Sequence, residues 1–222
     1  RYAILSHTWL LSSPEVTYDD WHNRDLDLSH EGYRKLVNFC RVAEADYRVN
    51  FGWMDTVCID KSSSSELDES IRSMYKWYQK ARICINYLAD TTSLTEMGND
   101  RWFTRGWTLQ ELLGPVNLKF YKRDWTRFND WVDWNDPHIP GIIQNATGIP
   151  PECMFYRERA TISVRMQWAA TRQVTRGEDA AYSLMGLFGV NMSIAYGEGA
   201  ERAFFRLMTE ILSSTKSNDV LD

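Results

Sequence analysis

No stretch of the 222-residue chain approaches the roughly 18 consecutive apolar residues that a membrane-spanning helix needs, so no span is expected. The four cysteines, Cys40, Cys58, Cys84 and Cys153, include no CxxC pair and no histidines at ligand spacing. A zinc site or disulfide framework is therefore not expected, and the thiols read as reduced ones in an intracellular, cytoplasmic protein. Basic residues are in deficit, 25 against 30 acidic, for a formal charge of −5. That balance argues against a nucleic-acid or anionic-membrane partner. An initiator Met and a signal-peptide layout are also missing from Arg1-Tyr2-Ala3-Ile4-Leu5, which reads as the start of a domain excised from a longer parent. There is no internal repeat, and the four serines Ser62 to Ser65 are the one low-complexity patch.

What is present suits a soluble globular domain: 44% hydrophobic and 25% charged residues, in a chain long enough to bury a core without staples. The unusual feature is aromatic, with 10 Trp, 11 Tyr and 9 Phe. Large rings fill cores, but they also stack on ligands and anchor interfaces.

Periodicity divides the chain in two. Over 1–124, short apolar runs alternate with amphipathic stretches. Strands are expected at Tyr2–Leu5, Phe51–Ile59, Arg82–Leu88 and Val116–Tyr121, the first stopping at Ser6-His7-Thr8-Trp9. Between them, Tyr33, Leu36, Val37, Cys40, Ala43 and Tyr47 mark one helix face. Leu67, Ile71, Met74, Tyr75 and Tyr78 mark a second, capped by Ser65, and a third helix covers Thr104–Leu113 up to Gly114-Pro115. This alternation predicts right-handed crossovers and an α/β fold with a parallel sheet flanked by helices. Over 125–222 the pattern becomes irregular around Trp125, Trp131 and Trp134. It then turns helical at Ile162–Thr171, Glu178–Phe188 and Gly199–Ser213, a mainly helical C-terminal part of the same domain.

In an open parallel sheet, ligands bind beyond the carboxyl ends of the strands. Ser6, His7, Thr8 and Trp9 follow the first strand, Asp55 and Asp60 belong to the second, and Arg101, Trp102, Arg105 and Trp107 precede Glu111 after the third. Helical spacing stacks Trp107 over Glu111 on one face. An aromatic plate beside a carboxylate suits a cationic heteroaromatic ring with ribose hydroxyls attached. For each residue two readings stay open. Glu111 is catalytic or an ordinary helix glutamate, and Trp107 is a stacking plate or a core residue. Asp55 binds ligand or caps a turn, Ser6-His7 orients a ligand or pins a loop, and Arg105 meets phosphate or pairs with Glu111 or Asp55. Gly197-x-Gly199 reads as a packing turn, because Arg202 stands where a dinucleotide loop needs its third glycine. The aromatics divide in the same way. Tyr33, Tyr75, Tyr78 and Phe204 fall on core stripes, the 125–134 tryptophans anchor the irregular stretch, and Trp9, Trp102 and Trp107 are the candidate ligand contacts.

Four long blocks, "RYAILSHTW", "FGWMDTVCIDK…ELDESIRSMYKWYQKA", "RWFTRGWTLQELLGP" and "EDAAYSLMGLFGVNMSIAYGEGAERAFFRL", resemble the fungal heterokaryon incompatibility (HET) domain in content and order. That family triggers cell death in allorecognition and immune-type sensing, and is described as a remote relative of the Toll/interleukin-1 receptor (TIR) domain. The second resemblance rests on Leu5-Ser6-His7, Trp53-Met54-Asp55 and Trp107-Thr108-Leu109-Gln110-Glu111-Leu112. Thr108 replaces the family's cysteine, and His7 its aromatic. The resemblance implies a TIR-like, flavodoxin-like sheet, a catalytic role for Glu111 and ring stacking on Trp107. It further implies NAD or a related nucleotide as substrate rather than bound cofactor, no metal, homo-oligomerisation when active and fused domains in the parent. Cleaving NAD expels neutral nicotinamide from a pyridinium, so one carboxylate suffices where ordinary glycosidases need two. The competing expectations are a non-enzymatic, self-associating cell-death scaffold and a metal-dependent phosphodiesterase using His7, Asp55, Asp60 and Glu111.

Overall fold

A computed structural model describes residues 1–128, 136–156 and 159–214. Its first half runs β1 (Ala3–His7), α1 (Tyr18–Asn23), α2 (Glu31–Tyr47), β2 (Gly52–Trp53), α3 (Asp55–Cys58), α4 (Ser64–Lys80), β3 (Ile83–Tyr87), α5 (Thr108–Leu113) and β4 (Leu118–Tyr121). Helices α6 (Ile139–Thr147), α7 (Pro151–Phe155), α8 (Ile162–Ala170), α9 (Asp179–Tyr182), α10 (Met185–Phe188) and α11 (Ala200–Ser214) follow. All strand pairs are parallel, in the order β2-β1-β3-β4. The architecture is α/β with a helical C-terminal part, and its order is that of the first four strands of a flavodoxin-like sheet, with the switch point between β1 and β3.

Strand alternation sets the two faces. Ile4, Cys84, Leu118 and Phe120 point into a core shared with α4, α5 and the helices after 138. Ala3, Leu5, Ile83, Ile85 and Tyr87 point into a second core, with Leu36, Phe39 and Val42 of α2. The larger core thus runs continuously from β1 to Ile211 of α11. Trp125 anchors the start of the irregular stretch by stacking on Tyr87 at 4.3 Å. Trp131 and Trp134 lie outside the described residues.

Several local expectations are corrected. β1 runs on through His7, because Ser6 and His7 pair with Asn86 and Tyr87 of β3. The run Phe51–Ile59 yields two strand residues and then the short helix α3, an ambiguity inherent in brief apolar runs. Ser63, not Ser65, caps α4, accepting the Glu66 N–H. On α2 the buried face is shifted. Val37 and Cys40 are exposed, whereas Lys35 is buried. Glu178–Phe188 breaks into α9 and α10, and Phe204 of α11 faces outward instead of into the core.

Candidate active site

The alternation that builds the sheet also aims the site. Ser6 points to the face of α5, and its Oγ donates to Glu111 Oε2 at 2.5 Å. His7 points to the opposite face, where the buried Lys35 ammonium of α2 donates to its Nδ1 at 2.7 Å. Beyond the strand end, the two sides meet in one cleft of about 580 Å³. Its walls include His7, Trp9, Asp55, Arg105, Trp107 and Glu111, so six of the seven residues expected to act sit in one place. The seventh, Ser6, lies beneath Glu111.

Glu111 is 7% exposed. Burial pushes its carboxyl up to about 7, and Asp55 adds to the push. The Ser6 and Tyr78 hydroxyls and the Arg105 charge pull the other way without prevailing. Ser6 is held in turn by the Trp102 indole N–H, which donates to its Oγ at 2.7 Å. Trp102 is wholly buried, edge-on to Phe103 and Phe120, so it is a support for the site and not the ligand contact expected. Tyr78 looked like core and is; its hydroxyl nevertheless donates to the Leu5 carbonyl at 3.1 Å and lies against Glu111.

Asp55 is arranged oppositely. Burial raises its pKa, but the His7 hydrogen bond and charge, the Lys61 ammonium and the Trp9 indole overcome this and hold it well below the usual carboxylate range. With Lys35 donating to Nδ1, the His7 Nε2 carries the proton and donates to Asp55 Oδ1 at 2.8 Å. Burial and the Lys35 charge depress the His7 pKa, so the ring is neutral at pH 7 and adds its charge to the hold on Asp55 only in acid. Lys35 also meets the Thr8 carbonyl at 3.3 Å and the Glu15 carboxylate, which satisfies all three ammonium protons. Glu15, Lys35, His7 and Asp55 thus form one buried chain ending at the cleft.

The second half of the molecule supplies the remaining wall. Gln173 docks as a strand-like segment beside Arg105, with Gly106 N–H to Gln173 O at 2.8 Å and Gln173 N–H to Thr104 O at 2.7 Å. Gly106 permits that approach, since a Cβ there would meet Val174 Cγ1 at 2.5 Å. Arg172 Nη1 donates to the Arg105 carbonyl at 2.8 Å and to Thr108 Oγ1 at 2.9 Å, locking the turn that opens α5. The Trp107 side chain and the Tyr196 hydroxyl both bond Asp179, the latter at 2.8 Å, so the Trp107 ring is fixed as a cleft wall. Arg105 pairs with neither Glu111 nor Asp55, and among the described residues it has no carboxylate within ion-pair reach. Asp60 faces its own turn, its Oδ1 accepting from Ser62 N–H at 2.9 Å. Among the described residues no three His, Cys, Asp or Glu side chains converge as a metal site, and no helix is long and apolar enough to cross a membrane.

Sequence reasoning missed Lys35, Glu15, Lys61, Arg172, Asp179 and Tyr196. A lysine inside an otherwise apolar helix face was the one local signal for Lys35. The density of Tyr, Asp and Gly in the last of the four blocks was the signal for Asp179 and Tyr196.

Residues 2–98 match the family model "Heterokaryon incompatibility protein (HET)". Over 225 aligned positions, covering 95% of this chain, the sequence is 41% identical to "Vegetative incompatibility protein HET-E-1" of Podospora anserina. The chain belongs to the HET family. It spans 16% of that much longer relative. No solved structure matches it. The four HET blocks quoted above contribute β1, the β2–α4 segment, the turn into α5 and the α9–α11 region, and all four line or brace the same cleft.

Proposed function

We propose that this HET domain is the cell-death effector of a longer incompatibility protein and acts by hydrolysing NAD to nicotinamide and ADP-ribose, with Glu111 as the catalytic carboxylate. The observation carrying this reading is the lone buried Glu111 at the switch point, with an anion-ready Arg105 and a held anion, Asp55, around it. The C1′–N bond breaks with its electron pair going to the pyridinium nitrogen, so nicotinamide leaves neutral and needs no acid. The oxocarbenium charge left on the ribose is stabilised by the Glu111 carboxylate, which also holds the ribose hydroxyls. Water then adds to C1′ and releases its proton through Glu111 to solvent. Ser6 aims the carboxylate, Trp107 walls the nucleotide, and the Arg105 fork suits the diphosphate. An entering pyridinium favours the ionised form of a carboxyl poised near neutrality.

The test is nicotinamide release from NAD by the purified chain, free and crowded on a surface to impose assembly. Release that falls to background in Glu111→Gln supports the reading. No release from crowded protein, or release indifferent to that substitution, overturns it. The exposed Phe204, Phe205 and Leu212 of α11 favour the second reading, a self-associating module that kills by scaffolding. In that case Glu111→Gln leaves toxicity intact in cells while Phe205→Ser abolishes it.

A further inference from the structure

The outer end of the cleft already holds a cation of its own. The Lys61 ammonium lies 4.1 Å from the centre of the Trp9 ring and 3.5 Å from Asp55 Oδ2. The ring and the carboxylate form a single rigid receptor, because the Trp9 indole N–H donates to that same Oδ2 at 3.1 Å while His7 secures Oδ1. Trp9 is 43% exposed and lines the cleft, and Lys61 covers one face of its ring. A carboxylate edge beside an indole face is the chemistry that recognises organic cations. The backbone under Lys61 is fixed from both sides. Asp60 N–H donates to Glu66 Oε1 at 3.0 Å, and Asp60 Oδ1 accepts from Ser62. Emptying the receptor thus requires only a side-chain swing, and the Lys61 side chain is 37% exposed already.

We propose that Trp9 and Asp55 form a subsite for a flat aromatic cation, and that Lys61 occupies it as a built-in competitor that the ligand must displace. This deepens the NAD reading and rests on it solely for the identity of the ring, a nicotinamide pyridinium. It also separates the roles of the two tryptophans. Trp107 is fixed to Asp179 as a wall, and Trp9 is the plate on which the charged ring lies. Removing Lys61 leaves Asp55 without its exposed partner, so a cationic ligand gains whatever attraction the lysine had used.

The probe is 1-methylnicotinamide, which carries the pyridinium and has no bond to hydrolyse, with neutral nicotinamide as its control. Affinities are measured by calorimetry, and the position of binding by the Trp9 indole N–H resonance, assigned with Trp9→Phe. Lys61→Ala is expected to bind the cation roughly threefold to tenfold more tightly, the scale of one cation–π contact plus one exposed ion pair. Neutral nicotinamide is expected to gain nothing, and adding Trp9→Ala to Lys61→Ala is expected to erase the gain. Unchanged or weaker binding in Lys61→Ala overturns the proposal, as does an equal gain by neutral nicotinamide or a gain that survives loss of Trp9. Because binding is read without hydrolysis, the subsite stands or falls separately from the catalytic reading. Tight probe binding with no NAD cleavage sinks the hydrolase alone, and cleavage without the probe effect sinks the subsite alone.

Discussion

Two carboxylates share one cleft and are treated in opposite ways. Asp55 ends a buried chain of alternating charge and hydrogen bonding, Glu15–Lys35–His7–Asp55, and is held ionised well below the usual range. Glu111 has hydroxyls and an indole-supported serine around it, but no ion pair within reach among the described residues, and burial lifts it to about 7. When environments drive two nearby acids apart in this way, the acids have separate roles. Asp55 is a fixed negative charge at the cleft. Glu111 is the group that can change protonation near neutral pH.

The contrast is broken most severely by neutralising Glu111. Glu111→Gln is expected to lower NAD cleavage by about 10²–10⁴-fold, the range for a general acid–base or electrostatic carboxylate, with binding of 1-methylnicotinamide largely kept. Lys35→Met attacks the other side. It strands the Glu15 carboxylate and removes the proton donor to His7 Nδ1, and chemical denaturation should show a loss of about 3–5 kcal/mol. The double change Lys35→Met/Glu15→Leu should recover much of that loss, because the stranded charge goes too.

The pH dependences of the two acids have opposite signs. Glu111 is protonated in the folded state at pH values where it ionises in the unfolded chain, so its contribution to stability falls as pH rises from about 4.5 to about 7. Glu111→Gln should therefore be more stable than the parent at pH 8, by about 3 kcal/mol. Asp55 behaves in reverse: its share is fully present above the ordinary aspartate range and is lost as acid protonates it. The smallest and most specific effect belongs to Ser6→Ala. It removes the hydroxyl that favours ionised Glu111, so the rising limb of the pH–rate profile, expected near 7 for the parent on the hydrolase reading, should move to higher pH. A midpoint unmoved or shifted downward would show that Ser6 does not tune the carboxyl.

The sheet and the strand-end cluster were legible because their signals are local. Apolar runs of the right length gave three strands, and the i, i+4 spacing put Trp107 and Glu111 on one wall. The second strand was legible but its extent was not, since Asp55-Thr56-Val57-Cys58 closes one helical turn where an extended run was expected. Lys35 left one local sign, its place on an apolar helix face, but its partners were not legible. Its burial depends on Glu15, Thr8 and His7, which are 20 to 28 residues distant in the chain. The same holds for the wall made by Gln173, Asp179 and Tyr196: it exists because a late segment adds itself beside Arg105 and Gly106, a pairing with no periodic trace. Trp102 shows the converse error, a residue correctly placed near the site whose ring faces the core while its N–H holds Ser6.

The difference between the two carboxylates is directly measurable. A ¹³C-detected NMR titration of the side-chain carboxyls, assigned with Glu111→Gln and Asp55→Asn, follows each group separately. Glu111 is expected to titrate with a midpoint near 7 while Asp55 stays ionised to the acid limit of the fold. Both groups titrating together in the ordinary range of about 4 would contradict it.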